Sequence, residues 1–217
     1  MPDLIVRPFQ PVDRQALFQI GADTAFFGAP IEKYLEDRSI FNDFFYAYYT
    51  DVEPQFIWVA VADGKVAGFL AGCLDVRSKD GRWLVNIFPR FMACLLRGGY
   101  HFGPLAWHYI GVLISTGLHG EAPHIDFKEF PAHLHINVDA PWRGLGLGHK
   151  LMDAYLAQLR SLGVRGVHLE TTSMNDVACR LYEKVGFRLL DARPTRMWVG
   201  MIDGPVENRC YGLKLLE

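Results

Sequence analysis

An α/β fold is predicted by three features of this sequence. Pro131 to Asp139 alternates apolar and polar residues, as a half-buried strand does. Leu147, Leu151, Ala154, Tyr155, Leu159 and Leu162 then recur at helical spacing up to Gly163, and Met152 and Leu156 widen the stripe. Between the two, Gly144, Gly146 and Gly148 stand at alternate positions, a turn rather than part of either element. The unit repeats downstream: Val164 to Thr171 reads as a strand, and a helix with Ser173 or Asn175 as N-cap stops at Gly186.

The first third of the chain supplies simpler elements. Leu4 to Pro8 predicts a strand, Val12 to Phe27 and Pro30 to Tyr49 two helical stretches, and Phe56 to Ala62 with Val66 to Asp75 a hairpin turning at Asp63-Gly64. The chain has 217 residues, half of them hydrophobic, enough to bury a sizeable core, and no linker, repeat or low-complexity stretch divides it. A single domain over 1–217 is expected.

The glycine run carries the chemistry. Glycines at alternate positions clear β-carbons from one side of the turn, so backbone N–H groups can close on an anion. The helix that follows adds its unpaired N–H groups and the positive end of its dipole. A pyrophosphate suits such a place. A dinucleotide fingerprint fails, because counting from Gly144 reaches His149 where the third glycine belongs, and a P-loop fails for want of Gly-Lys-Ser or Gly-Lys-Thr.

Arg143, Gly146 and Gly148 match the Arg/Gln-x-x-Gly-x-Gly/Ala segment of the GNAT superfamily of acetyl-CoA-dependent N-acetyltransferases, which this chain resembles. Asn175 to Phe187 is similar to that family's second signature, Asn-x-x-Ala-x-x-Leu-Tyr-x-x-x-Gly-Phe, with Asn175, Ala178 and Tyr182 in the fixed places. Asn175 and Tyr182 are seven apart and so share a helix face, with Ala178 leaving a groove between them. The resemblance implies a mixed central sheet of about six to seven strands flanked by helices. It also implies acetyl-CoA as acetyl donor, held by the strand residues Ile136 and Val138, by Arg143, Gly144, Leu145, Gly146, Leu147, Gly148 and His149, and by Asn175, Ala178 and Tyr182. Backbone amides from Gly144 to His149 are expected to matter more than the charges of Arg143, His149 and Lys150. The segment 82–128 departs from the family as an aromatic-rich helical insertion before the fourth strand, and reads as an acceptor-pocket wall, a dimer contact or extra packing.

Amide formation needs a base, since an alkylamine with a pKa of about 10.4 is protonated at neutral pH. His133 and His135 project from one side of the strand and titrate in a suitable range. Ala132-His133-Leu134-His135 is similar to the Ala-His-Leu-His stretch of arylalkylamine N-acetyltransferases, which implies a proton relay through both histidines. The spacing to the arginine differs there by about one residue, enough to reverse a side chain's facing, so Asp139 is the alternative base. By resemblance, the Val138 amide serves the oxyanion and Tyr182 protonates the departing thiolate.

The same strand and turn resemble the acetyltransferase-like domains joined to O-GlcNAc hydrolases, which keeps a binding or sensor module open beside an enzyme. A protein or peptide N-acetyltransferase is the other alternative, although no peptide groove or charge pattern is legible. Net charge is minus 2 with scattered Lys and Arg, so neither nucleic acid nor an anionic membrane is an expected partner, and a small-molecule amine is. Cys73, Cys94, Cys179 and Cys210 form no metal or disulfide pattern and read as reduced core residues. With no signal-like start at Met1 and no unbroken apolar span, a cytoplasmic enzyme, possibly a homodimer, is expected.

Overall fold

The computed structural model describes residues 2–216. Seven strands, β1 (Leu4–Pro8), β2 (Ile57–Ala62), β3 (Lys65–Cys73), β4 (Ala132–Val138), β5 (Gly166–Thr172), β6 (Arg188–Thr195) and β7 (Val206–Lys214), form one mixed sheet in the order β1-β2-β3-β4-β5-β7-β6. Every pairing is antiparallel except that of β4 with β5. That parallel pairing covers only Ala132 opposite Val167 and His133 opposite His168, and beyond it the two strands diverge.

The phase of the β3–β4 ladder decides what faces the divergence. The Asp139 N–H bonds the Ala67 carbonyl, and residues of an antiparallel strand bond the same neighbour alternately. Odd-numbered residues of β4 are therefore committed to β3, and the N–H and C=O groups of Ile136 and Val138 point into the gap left by β5. At the base of this wedge the hydroxyl of Tyr155 lies 3.1 Å from the carbonyls of both Cys73 and His133. Gly72 makes the approach possible, since a β-carbon there would collide with that phenol.

Helices cover both faces. On one side α1 (Arg14–Asp23), α2 (Arg38–Phe41) and α3 (Ala47–Asp51) enclose a core that includes Leu17, Tyr46, Tyr49 and Phe69. On the other, α7 (Leu147–Ser161) and α8 (Asp176–Val185) bury Leu151, Tyr155, Leu159 and Tyr182 against Leu134 and Leu169. The period-two pattern of β4 feeds both layers, with Leu134 toward α7 and His135 toward Tyr49 of α3.

Several boundaries differ from the pattern read in the sequence. The first helical stretch ends at Asp23, because the Thr24 hydroxyl turns back to the Ile20 carbonyl at 2.7 Å and a tight turn follows at Phe26–Ala29. The stretch from Pro30 is not continuous: a turn of 3-10 helix at Ile31–Lys33, α2 capped by Asp37 on the Ser39 N–H, and a π-helical segment at Asn42–Tyr46 precede α3. The insertion begins earlier than position 82. The Asp75 carboxylate accepts the Arg77 N–H at 3.0 Å and starts α4 (Val76–Asn86), followed by α5 (Phe88–Leu96) and α6 (Pro104–Leu118).

Candidate active site

The glycine turn leads from β4 into α7 through left-handed backbone. Gly144 and Gly146 have φ of +79° and +77°, and Gly146 is the N-cap residue of α7, so no side chain caps its first amides. A β-carbon at Gly146 would meet open space, so the residue is required by its dihedral rather than by crowding. Gly148 is required for space: a β-carbon there would stand 3.0 Å from Leu181 Cδ2. Its absence lets α7 approach α8 and leaves the first N–H groups of α7 facing outward at the positive end of the dipole.

These amides open onto a cavity of about 430 Å³ that passes through the divergence of β4 and β5. From β4 it is lined by Ile136, Asn137 and Val138, and from the turn by Arg143, Gly144 and Gly146. Leu147, Gly148 and His149 line it from α7, and Asn175, Ala178, Leu181 and Tyr182 from the far side. Of the residues expected to hold acetyl-CoA, only Leu145 falls outside the lining, and it is exposed. Both signatures, 27 residues apart at their nearest fixed positions (Gly148 and Asn175), thus meet at one opening.

Tyr182 is buried between Phe187 and Tyr211, with ring centroids 6.2 and 5.9 Å away. Burial pushes its phenol well above the usual tyrosine range, with Cys179 and Tyr211 adding to the shift, so it stays protonated and available as a donor. Asn175 precedes α8, its N–H bonded to the Thr172 carbonyl at 3.1 Å and its side chain free of any capping bond. Cys179 is buried and points its thiol at the Thr172 carbonyl, away from any nucleophilic role.

The histidine pair lies on the other face of the sheet. His133 and His135 have ring centroids 4.6 Å apart, and His168 stands 4.9 Å from His133. His133 is buried, its Nδ1 without a partner among the described residues, and His135 packs edge-on against Tyr46 and Tyr49. Neither ring lines the cavity. Burial drives His133 far below the ordinary histidine range, aided by its neighbours His135 and His168, and lowers His135 to about 3. Both are neutral at pH 7 and weak proton acceptors. A polar chain separates them from the opening: the Tyr46 hydroxyl donates to Asn137 Oδ1 at 3.1 Å, and Asn137 Nδ2 donates to Thr24 Oγ1 at 2.6 Å. Asp139 caps the neighbouring Ala140 N–H at 2.8 Å.

Glu170 was passed over in the sequence. It follows His168 by two positions on β5, so its carboxyl shares the histidine face, where it is open to solvent at the divergence while its low-dielectric surroundings raise its pKa. The available signal is an acidic residue two positions after His168 in a strand beside the second signature. The opening is also walled by Phe27, whose ring lies 4.8 Å from that of Trp198 in the β6–β7 connection.

Comparison with known proteins follows this geometry. The model of the acetyltransferase (GNAT) family matches residues 23–187. A mycothiol acetyltransferase of Nocardiopsis dassonvillei is 45% identical over 56 residues, 26% of this chain and 17% of that protein. The [ribosomal protein bS18]-alanine N-acetyltransferase of Haemophilus ducreyi is 34% identical over 71 residues, 33% of this chain and 48% of that one. The matches to mycothiol acetyltransferases thus span between 17% and 24% of those proteins' length. Among solved structures, SsHAT superposes with a TM-score of 0.74 at 27% identity over the whole of both chains. An acetyltransferase from Salmonella typhimurium, solved with acetyl-CoA, gives 0.60 at 16% identity, covering 99% of this chain and 95% of that one.

Proposed function

Because this chain belongs to the acetyltransferase (GNAT) family, we propose that it moves the acetyl group of acetyl-CoA to a primary amine of a small molecule within a ternary complex. The observation that carries the reading is the meeting of the uncapped α7 amides, the unpaired β4 edge and the Tyr182 phenol at one cavity. Acetyl-CoA supplies the activated thioester when bound.

The chain's own groups have distinct tasks. Amides from Gly144 to His149 hold the diphosphate, and Lys184 adds positive charge at the rim. Ile136 offers its backbone N–H and C=O and Val138 its N–H to an extended arm, as a missing β5 neighbour would, the Val138 carbonyl being bonded to Arg143 Nε. The Val138 N–H is the donor for a carbonyl oxygen that gains negative charge. Tyr182 keeps its proton for the departing sulfur, helped by a thiol pKa of about 8.5 and by Asn175 nearby.

Removal of the amine proton falls to the histidine face. His133 and His135 act as a relay only in the sense of neutral groups passing a proton on, since burial keeps both uncharged. Glu170, exposed on that face with its carboxyl pKa raised by low-dielectric surroundings, is a candidate to take the proton, with Asp139 as the alternative.

Thiol release from acetyl-CoA with a panel of small amines, amino acids and peptides tests the reading, with acetylated product identified by mass spectrometry. Turnover with a small primary amine is expected. Binding of acetyl-CoA without thiol release from any acceptor would replace the enzyme with a sensor, and turnover confined to peptides would move the acceptor to a protein terminus.

A further inference from the structure

Arg143 ties the glycine turn to the opposite wall of the cavity. Its Nε donates to the Val138 carbonyl at 3.0 Å and its Nη2 to the Gly28 carbonyl at 3.2 Å. Gly28 belongs to the turn Phe26–Ala29, closed by reciprocal backbone bonds of 2.9 and 2.8 Å between its end residues. The turn is conformationally costly: Phe27 has φ of +50°, in the left-handed region that a bulky residue avoids. Gly28 has φ of +88°, and a β-carbon there would come 2.9 Å from Arg143 Nη1, so glycine is what admits the guanidinium.

The strained residue faces the cavity. Phe27 lines it, and its ring stacks edge-on to Trp198 at 4.8 Å. Trp198 is fixed from behind, because the nearby Arg196 donates its N–H and its Nε to the Glu121 carboxylate at 2.8 and 2.9 Å. Among the described residues, Arg143 is the side chain that hydrogen-bonds the turn from the cofactor side. Two of its five N–H groups are spent on the Val138 and Gly28 carbonyls, which ties the Nε–Nη2 edge of the planar fork to the two walls.

We infer that Arg143 is a positioning residue for the amine acceptor: it latches the Phe26–Ala29 turn so that Phe27 forms a fixed wall of the acceptor pocket, and the diphosphate is held by backbone amides without it. This rests on the acetyl-transfer reading and assigns the signature arginine a task on the other substrate's side. It follows that the arginine governs acceptor KM, while acetyl-CoA affinity is left to the glycine turn.

Arg143→Ala and Arg143→Lys, compared with the unaltered protein, separate the two roles. Lysine keeps the charge but places its donors on one nitrogen, without the fork that reaches Val138 from Nε and Gly28 from Nη2, so the latch is lost in both variants, whereas a phosphate contact survives in the lysine variant. Hydrogen–deuterium exchange of the Thr24–Ala29 amides should rise roughly tenfold or more in both, with β4 exchange unaltered. Calorimetric acetyl-CoA affinity should stay within about threefold in both. Unchanged exchange in that segment, or affinity weakened about tenfold in Arg143→Ala yet kept in Arg143→Lys, would overturn the assignment. Failure of the unaltered protein to bind acetyl-CoA would instead defeat the acetyl-transfer reading, and the exchange measurement would still decide the latch. If the alanine variant does not fold, the lysine variant alone carries the comparison.

Discussion

Helices α7 and α6 are each fifteen residues long, yet α7 buries six side chains and α6 buries two, Ala106 and Tyr109. The contrast runs through their neighbourhoods: α8 sits against β5 and β7 through Cys179 and Tyr182, whereas α4 and α5 bury no residue at all. Polar clasps supplement the insertion's few apolar anchors. The Glu36 carboxylate accepts the Leu105 and Ala106 N–H groups at the start of α6 at 2.7 and 2.9 Å, the Tyr100 hydroxyl donates to Asp43 at 2.9 Å, and Trp83 donates to the Phe44 carbonyl at 3.1 Å. Packing defines the cleft half throughout, while the insertion meets the core at a few apolar points, Ile87, Ala106 and Tyr109, and at these directional bonds.

The sharpest way to break this contrast is in the cleft. Tyr182→Phe should lower turnover by about 100-fold while acetyl-CoA affinity stays within about threefold, read by steady-state kinetics beside calorimetry. An equal loss in both would make the phenol a packing group. Gly148→Val should weaken acetyl-CoA binding by about tenfold or more, because the new side chain pushes on Leu181 at the cavity edge. Retained affinity would mean that α7 and α8 can separate without loss of the cradle.

Stability offers the next test. His135 titrates at about 3 in the folded chain and near 6.5 when unfolded, and His133 is shifted the same way. As pH falls through 6.5 the unfolded chain takes up protons that the folded one refuses, so stability present at pH 7 is lost progressively toward pH 3. By pH 5 the loss from His135 is about 2 kcal/mol, and His133 adds to it in the same direction. Denaturant midpoints at pH 7 and 5 check it, and His133→Asn with His135→Asn should flatten the difference. At the bottom of the scale, Leu118→Ser, at a side chain 82% exposed on α6, should change stability by no more than about 0.5 kcal/mol and leave turnover alone. A large effect there would show that the exposed insertion is covered by something else.

The cleft half was legible because its apolar positions recur at one period per element. Leu134 and Ile136 alternate, Leu147 to Leu159 step round a helix, and Gly163 and Gly186 stop the helices where the backbone turns left-handed. Tertiary bonds decided the rest. Nothing near Val12 announces that Thr24 would bond back to Ile20, and the π-helical turn at Asn42–Tyr46 follows from packing of Phe41, Phe45 and Tyr46 in the sheet's near layer. The candidate site was legible in its glycines and in Tyr182, which now line one cavity, but the depth of His133 and the placement of Glu170 depend on where β5 leaves β4. That point has no local signature.

Tyr155 gives the opening a measure. Its phenol rivets β3 to β4 at His133, the last residue that still has a β5 partner, so the slit cannot unzip further down the sheet. Five residues, Leu134 to Val138, separate that rivet from the mouth, about 16 Å of extended chain. The protein therefore carries a built-in ruler: a thread inserted from the glycine end meets closed sheet at a depth set by a hydroxyl of the same helix that opens the cradle.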